Sequence, residues 1–115
     1  MEKIKMMGVK KSPYRNEYLF PKEQQFFIII RKLLEELNFD WEDFETFGFE
    51  TDEDDDVTKN EVDIKSIKDE INNFTNKDYS IDIIFLSKKI HVIINSHSDK
   101  QNEIANILNK YLEED

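Results

Sequence analysis

A run of five carboxylates is the first feature of this 115-residue chain that could bind a metal ion: Asp52, Glu53, Asp54, Asp55 and Asp56. Its alternate aspartates match the first, third and fifth ligand positions of an EF-hand calcium loop. Asp63 stands at the twelfth position, where a glutamate is usual, and Val57 stands at the sixth, where a sharp turn requires glycine. A β-branched residue resists the positive φ of that turn. We therefore expect at most weak cation binding, with no dedicated metal site and no cofactor.

Side chains suited to other kinds of catalysis are few. Cysteine is absent, which excludes disulfides and cysteine-ligated zinc and favours a cytoplasmic protein. His91 and His97 are the only histidines, and neither stands at the spacing of a zinc hydrolase. The serines lack a glycine-flanked elbow, and two glycines are too few for a phosphate-binding loop. The chain is therefore predicted not to be an enzyme.

Residues 39–47 interleave acids with large aromatic side chains, in the order Phe-Asp-Trp-Glu-Asp-Phe-Glu-Thr-Phe. Aromatic anchors dominate the binding energy of protein interfaces, while charges around them steer the partner. Trp41, Phe44 and Phe47 are also spaced three apart, so core packing on a helix is the alternative. The predicted partner-binding face combines this segment with the carboxylate run: Asp40, Trp41, Glu42, Asp43, Glu45, Asp52, Glu53, Asp54, Asp55 and Asp56.

Charge is unevenly spread along the chain, whose net charge is −10. Residues 1–32 carry +5 and residues 33–115 carry −15, and fourteen acids between Glu35 and Asp63 face a single lysine, Lys59. Such a field repels nucleic-acid phosphates and attracts basic proteins. We therefore predict a basic protein partner and no direct nucleic-acid binding. A merely solvated, solubilising surface is the alternative, with the basic N-terminal residues neutralising the acidic body.

The N-terminal half predicts one strand, an arm and one helix. Alternation over residues 3–6 is typical of a half-buried strand, and Ser12-Pro13 marks a turn. Residues 14–20 lack a clear period and are predicted to pack as an extended arm. A proline at a first-turn position and helical spacing then predict a helix from Pro21 to Leu37, with Asn38 as its stop.

The middle of the chain predicts two helices separated by a strand and a loop. A short helix is expected over residues 40–44, a strand over 46–51 and an exposed acidic loop over 52–57. The capping-box pattern of Thr58-Lys59-Asn60-Glu61 predicts a further helix ending near Asn76. Its buried stripe has spacings of three, four and three: Ile64, Ile67, Ile71 and Phe74.

The C-terminal part predicts a β-hairpin and a final helix. Two β-rich runs, 79–86 and 89–95, flank a short turn and have apolar side chains on both faces. A capping box at Ser98 predicts a helix through Leu112. The chain is thus predicted to be one α+β domain, 1–115, with a basic strand and arm at 1–20. Its small, mainly antiparallel sheet would contain the 79–95 hairpin plus one or two further strands, packed against three main helices.

These features favour a non-catalytic, acidic protein-binding module. An inhibitor, antitoxin or immunity-type protein that masks the basic surface of a nucleic-acid-handling partner would have this charge pattern. The alternatives are a structural or oligomerisation domain that uses the 79–95 hairpin, and a small metal-dependent enzyme that uses the loop carboxylates. The longest apolar run, Phe26–Ile30, is far too short to cross a membrane. The sequence is compatible with both a monomer and a homodimer.

Overall fold

Two antiparallel sheets and two α-helices form the part of the chain that the structure, a computed structural model, describes: residues 3–39, 49–51, 57–59, 64–96 and 100–111. The strands are β1 (Gly8–Ser12), β2 (Arg15–Pro21), β3 (Phe49–Thr51), β4 (Val57–Lys59), β5 (Glu70–Thr75), β6 (Tyr79–Phe85) and β7 (Lys89–Ser96). The helices are α1 (Gln25–Glu36) and α2 (Gln101–Asn109). The main sheet has the order β1-β2-β7-β6-β5, and β3 pairs with β4.

One face of the main sheet, which we call the inner face, forms the core. Side chains alternate across a strand, so every second residue of β2, β6 and β7 points to this face. The helices cover it: the ring of Phe26 in α1 lies 5.1 Å from that of Phe20 and 6.0 Å from that of Phe85, centroid to centroid. Ile104 and Leu108 of α2 belong to the same buried cluster. Of the two short strands, β4 lies close to α1.

The end of α1 confirms the predicted stop at Asn38. This residue adopts the left-handed conformation, with φ 69°, which asparagine tolerates better than most residues do. The amide of Phe39 donates to the carbonyl of Leu34 at 3.0 Å, and that of Asn38 donates to the carbonyl of Glu35 at 3.1 Å. Together these bonds form a Schellman motif, which satisfies carbonyls left free at the helix end.

The predicted number of main helices is wrong. The region from Thr58 to Asn76 does not form a helix where it is described: it contains a short 3-10 turn, Ile64–Ser66, and the strand β5. Asp69 has a left-handed φ of 56°, which interrupts any helix at that point. Ile71, which was expected in a buried helical stripe, is 69% exposed. The main sheet therefore has three strands besides the hairpin, rather than one or two.

Other predicted elements differ in their limits. The hairpin is confirmed as β6 and β7, with Leu86 N–H donating to the carbonyl of Lys89 at 2.9 Å across the turn. The segment expected to be an arm is β2, which lies between β1 and β7 in the sheet. Pro21 ends β2 rather than starting α1. The short helix over 40–44 and the loop over 52–56 lie outside the described residues, and of the strand over 46–51 only β3 lies within them.

In the described ranges, no helix is long and apolar enough to cross a membrane.

Two hydrogen bonds join α2 and the residues just after it to other parts of the fold. The amide of Ile4 donates to the carbonyl of Tyr111 at 2.9 Å, next to the end of α2. The hydroxyl of Tyr79 donates to Glu103 Oε2 at 3.0 Å, which joins β6 to α2.

Candidate functional site

The predicted partner-binding face lies outside the described residues, which include neither its Trp41 nor any of its nine carboxylates. Its residues are Asp40, Trp41, Glu42, Asp43, Glu45, Asp52, Glu53, Asp54, Asp55 and Asp56. What the structure does describe is the framework that carries these two segments. The segments are attached through the end of α1, β3 and β4.

This framework has the opposite charge to the whole chain. The described residues contain all sixteen lysines and arginines but only ten of the twenty-six aspartates and glutamates, a formal net charge of +6. The other sixteen acids belong to the short segments outside them. Nine of these sixteen acids belong to 40–45 and 52–56, which contain no lysine or arginine. The described strands and α-helices are neutral in sum, and the described residues that connect or flank them carry the +6.

The second face of the main sheet, which we call the outer face, is opposite the two helices. The pairing register aligns one residue from each strand into a row across the whole sheet: Gly8, Leu19, His91, Ile84 and Ile71. The next row has a charged residue on three of its five strands: Lys10, Glu17, Ile93, Asp82 and Asn73. The outer face thus places an apolar row beside a charged one.

A depression of about 430 Å³ lies on the outer face where β1, β2 and β7 meet. We call it the outer-face depression, and its lining includes Gly8, Lys10, Glu17, Leu19, Lys89 and His91. Leu86 lines it too. Its volume lies within the range of small-molecule sites, roughly 300–1,000 Å³.

Gly8 lets the side chain of Leu19 pack closely against the backbone of β1. A Cβ atom at this position would lie 3.2 Å from Cδ1 of Leu19, closer than ordinary van der Waals contact. Any other residue at position 8 would therefore have to displace the Leu19 side chain. Glycine at this point in a strand is typical of a place where another group approaches the backbone closely.

Glu17 and His91 form the polar wall of the depression. Nε2 of His91 lies 3.1 Å from Oε1 of Glu17, and both side chains are about three-quarters buried. When Nε2 carries the proton, it donates to the carboxylate. Nη2 of Arg15 lies 3.6 Å from the same oxygen, so two nitrogen-bearing groups share one carboxylate. Within the described ranges, neither Lys10 nor Lys89 has an ion pair.

A second cavity, of about 370 Å³, surrounds Lys22 at the end of the sheet. The ammonium group of Lys22 is buried and donates to the backbone carbonyl of Ile67, to that of Ser87 at 3.3 Å and to that of Lys65 at 3.5 Å. A buried cation needs such partners, because its desolvation is otherwise very unfavourable. The hydrogen bonds of Lys22 therefore join the connection between β2 and α1 to two other segments, the region of the 3-10 turn and the β6–β7 turn.

Sequence reasoning missed both of these places. It gave the 79–95 hairpin apolar side chains on both faces, but it did not recognise β2, whose Leu19 and Glu17 complete the depression. Burial alternates along β2 at Asn16, Tyr18 and Phe20, although the residue types of this segment show no clear period. No pattern of residue types marks Lys22 as buried.

In the part of the chain that the structure describes, no group of three or more histidine, aspartate or glutamate side chains is placed to hold a metal ion. Comparison of the chain with protein-family models, with curated proteins and with solved structures finds no match. The chemistry of the surfaces is thus the only basis for a functional proposal.

Proposed function

We propose that this chain is a non-catalytic binding module that takes a basic protein partner on its acidic segments, 40–45 and 52–56. The observation that supports the proposal is the partition of charge. Nine of the chain's twenty-six acids belong to these two short segments, which contain no lysine or arginine, whereas the described residues carry a formal net charge of +6. Carboxylates concentrated in this way attract lysine-rich and arginine-rich surfaces over distances of about a Debye length, roughly 10 Å at 0.1 M salt.

The partner competes with the chain's own cations for these carboxylates. Because the framework carries +6, the acidic segments already have counter-charges within the same molecule. A partner gains most where its positive charges are denser than those of the framework, and Trp41 supplies an apolar anchor that a purely electrostatic contact lacks. An inhibitor, antitoxin or immunity-type role toward a nucleic-acid-handling protein would require this kind of contact.

A synthetic basic peptide of lysine, arginine and leucine, labelled for fluorescence anisotropy, tests the proposal. The chain with all five residues of 52–56 changed to their amides should bind this peptide about tenfold more weakly than the natural chain at low salt. Raising the salt to roughly 0.5 M should remove most of the difference, because exposed charges are screened.

The matched control removes the same number of charges from the framework: Glu23→Gln, Glu36→Gln, Asp69→Asn, Glu70→Gln and Asp82→Asn. We expect this variant to lose less than about threefold in affinity. Equal losses in the two variants would mean that only the net charge matters, and the proposed face would have to be given up. Peptide binding that does not change with salt would lead to the same conclusion.

A homodimer is a second candidate, and one observation favours it. The inner face of the β6–β7 hairpin lies in the core and both of its edges are paired, so a hairpin interface would use the outer face. On that face Ile71 is 69% exposed at the end of the apolar row. Sedimentation velocity at about 100 µM tests it: a dimer that Ile71→Lys dissociates supports this candidate, and a monomer removes it.

A further inference from the structure

We propose that the outer-face depression binds one small amphipathic anion, an apolar ring or branched chain that carries a carboxylate or sulfonate group. The inference goes beyond the proposed function, because it concerns the sheet rather than the acidic segments. It rests on two features of the depression: an apolar floor and two lysines at the rim.

The floor accounts for the apolar part of the ligand. Leu19 and Leu86 line the depression, and the Leu19 side chain packs closely against Gly8. A volume of about 430 Å³ takes one small body rather than an extended chain. Burying an apolar group here is favourable because it removes apolar surface from water.

The rim accounts for the anionic part. Lys10 of β1 and Lys89 of β7 both line the depression, with β2 between them. Glu17 is opposite Lys10 in the register, yet its carboxylate is in contact with His91 at 3.1 Å and with Arg15 at 3.6 Å. The single acid at the site is thereby engaged, and both ammonium groups are left to receive an anion.

The sum of charges selects an anion over a cation. Lys10 and Lys89 contribute two positive charges to the lining, against one negative charge from Glu17. A cationic ligand would meet two like charges, whereas a carboxylate or sulfonate between the two lysines forms charge-assisted hydrogen bonds.

Two matched fluorescent probes test the inference. The first is 1-anilinonaphthalene-8-sulfonate, which has an aromatic body and a sulfonate. The second is N-phenyl-1-naphthylamine, which has the same aromatic body without the charge. We expect the sulfonate to bind the natural chain at one site, and at least about tenfold more tightly than the uncharged probe. Equal affinity for the two probes, or several sites of equal strength, would overturn the inference.

Variants of the chain locate the site. Lys10→Gln combined with Lys89→Gln should weaken the sulfonate about tenfold or more and change the uncharged probe by less than about twofold. Gly8→Leu should weaken both probes, because its side chain enters the depression that Gly8 lines and displaces Leu19. The control is Lys110→Gln, which removes a lysine that pairs with Glu36 at 3.1 Å elsewhere in the fold, and it should change neither affinity.

The outcome stays decisive if one variant fails to fold. Each variant is checked for cooperative urea unfolding, since this sulfonate also binds partly unfolded proteins. If Gly8→Leu does not unfold cooperatively, the double lysine variant decides alone. A double lysine variant that binds the sulfonate no more weakly than Lys110→Gln does would show that the probe binds elsewhere.

Discussion

The two faces of the main sheet are made by the same strands, yet they differ in what covers them. On the inner face six side chains of β6 and β7 are fully buried beneath the helices: Ile81, Ile83, Phe85, Ile90, Val92 and Ile94. On the outer face their neighbours are more often partly exposed, and charged residues stand beside apolar ones. The inner face therefore contributes most of the buried core, whereas the outer face stays partly exposed.

The hairpin illustrates this division within single strands. Along β6 buried and partly exposed residues alternate at every position, from Tyr79 to Phe85. Ile84 contributes little to the core because its side chain points to the other face.

The largest expected effect comes from replacing isoleucine by alanine at two adjacent positions, one on each face of the sheet. Ile83→Ala on the inner face should lower the free energy of unfolding by about 2–5 kcal/mol, because a fully buried side chain leaves a cavity. Ile84→Ala on the outer face should lower it by about 1 kcal/mol or less, because its side chain is partly exposed. Urea unfolding measures both. Similar losses would mean that the outer face is packed as the inner face is.

Periodicity predicted the elements whose burial repeats locally. The hairpin was found because β6 and β7 alternate, and α1 was found because its apolar residues follow the helical period. The same reasoning failed for β5, since Ile64, Ile67, Ile71 and Phe74 also fit the helical period. Asparagine and threonine in β5 are weak helix formers, and pairing with β6 decided the outcome.

The candidate sites were less predictable than the fold, because they depend on pairing between distant parts of the chain. The outer-face depression exists only once β2 lies between β1 and β7 in one particular register. The carbonyls that bind Lys22 belong to Lys65, Ile67 and Ser87, which are separated from it in sequence by 43, 45 and 65 residues. Residue types alone do not reveal such contacts.

A smaller effect should appear at the end of the sheet, where the chain passes from β2 to the inner layer. Lys22→Met retains an unbranched side chain but removes the ammonium group from three carbonyls. We expect a loss of about 2 kcal/mol in the free energy of unfolding, since buried carbonyls are left without a donor. Lys88→Met, an exposed neighbour in the same cavity lining, should change it by less than about 0.5 kcal/mol. Equal losses of unfolding free energy in the two variants would show that the hydrogen bonds of Lys22 do not stabilise the fold.

The smallest effect concerns the inner face at Tyr79, where β6 meets α2. Burial, followed by the hydrogen bond to Glu103 and the negative charges of Glu103 and Asp78, raises the pKa of Tyr79 to about 12. In the unfolded chain the phenol ionises near its ordinary value of about 10, so the unfolded state releases its proton first as the pH rises. The stability that the neutral phenol contributes is thus present below pH 10 and is lost between pH 10 and 12.

Tyr79→Phe separates this contribution from the rest of the inner face. At pH 7 the variant should be less stable by about 1 kcal/mol, because Glu103 loses a hydrogen bond. Between pH 10 and 12 the natural chain should lose stability more steeply than the variant, so the gap between their urea midpoints narrows. Glu103→Gln keeps an oxygen acceptor but removes its charge. It should therefore make the loss of stability between pH 10 and 12 less steep, but only in part. If the difference between the two urea midpoints stays constant from pH 10 to 12, Tyr79 has the same pKa in the folded and unfolded chains.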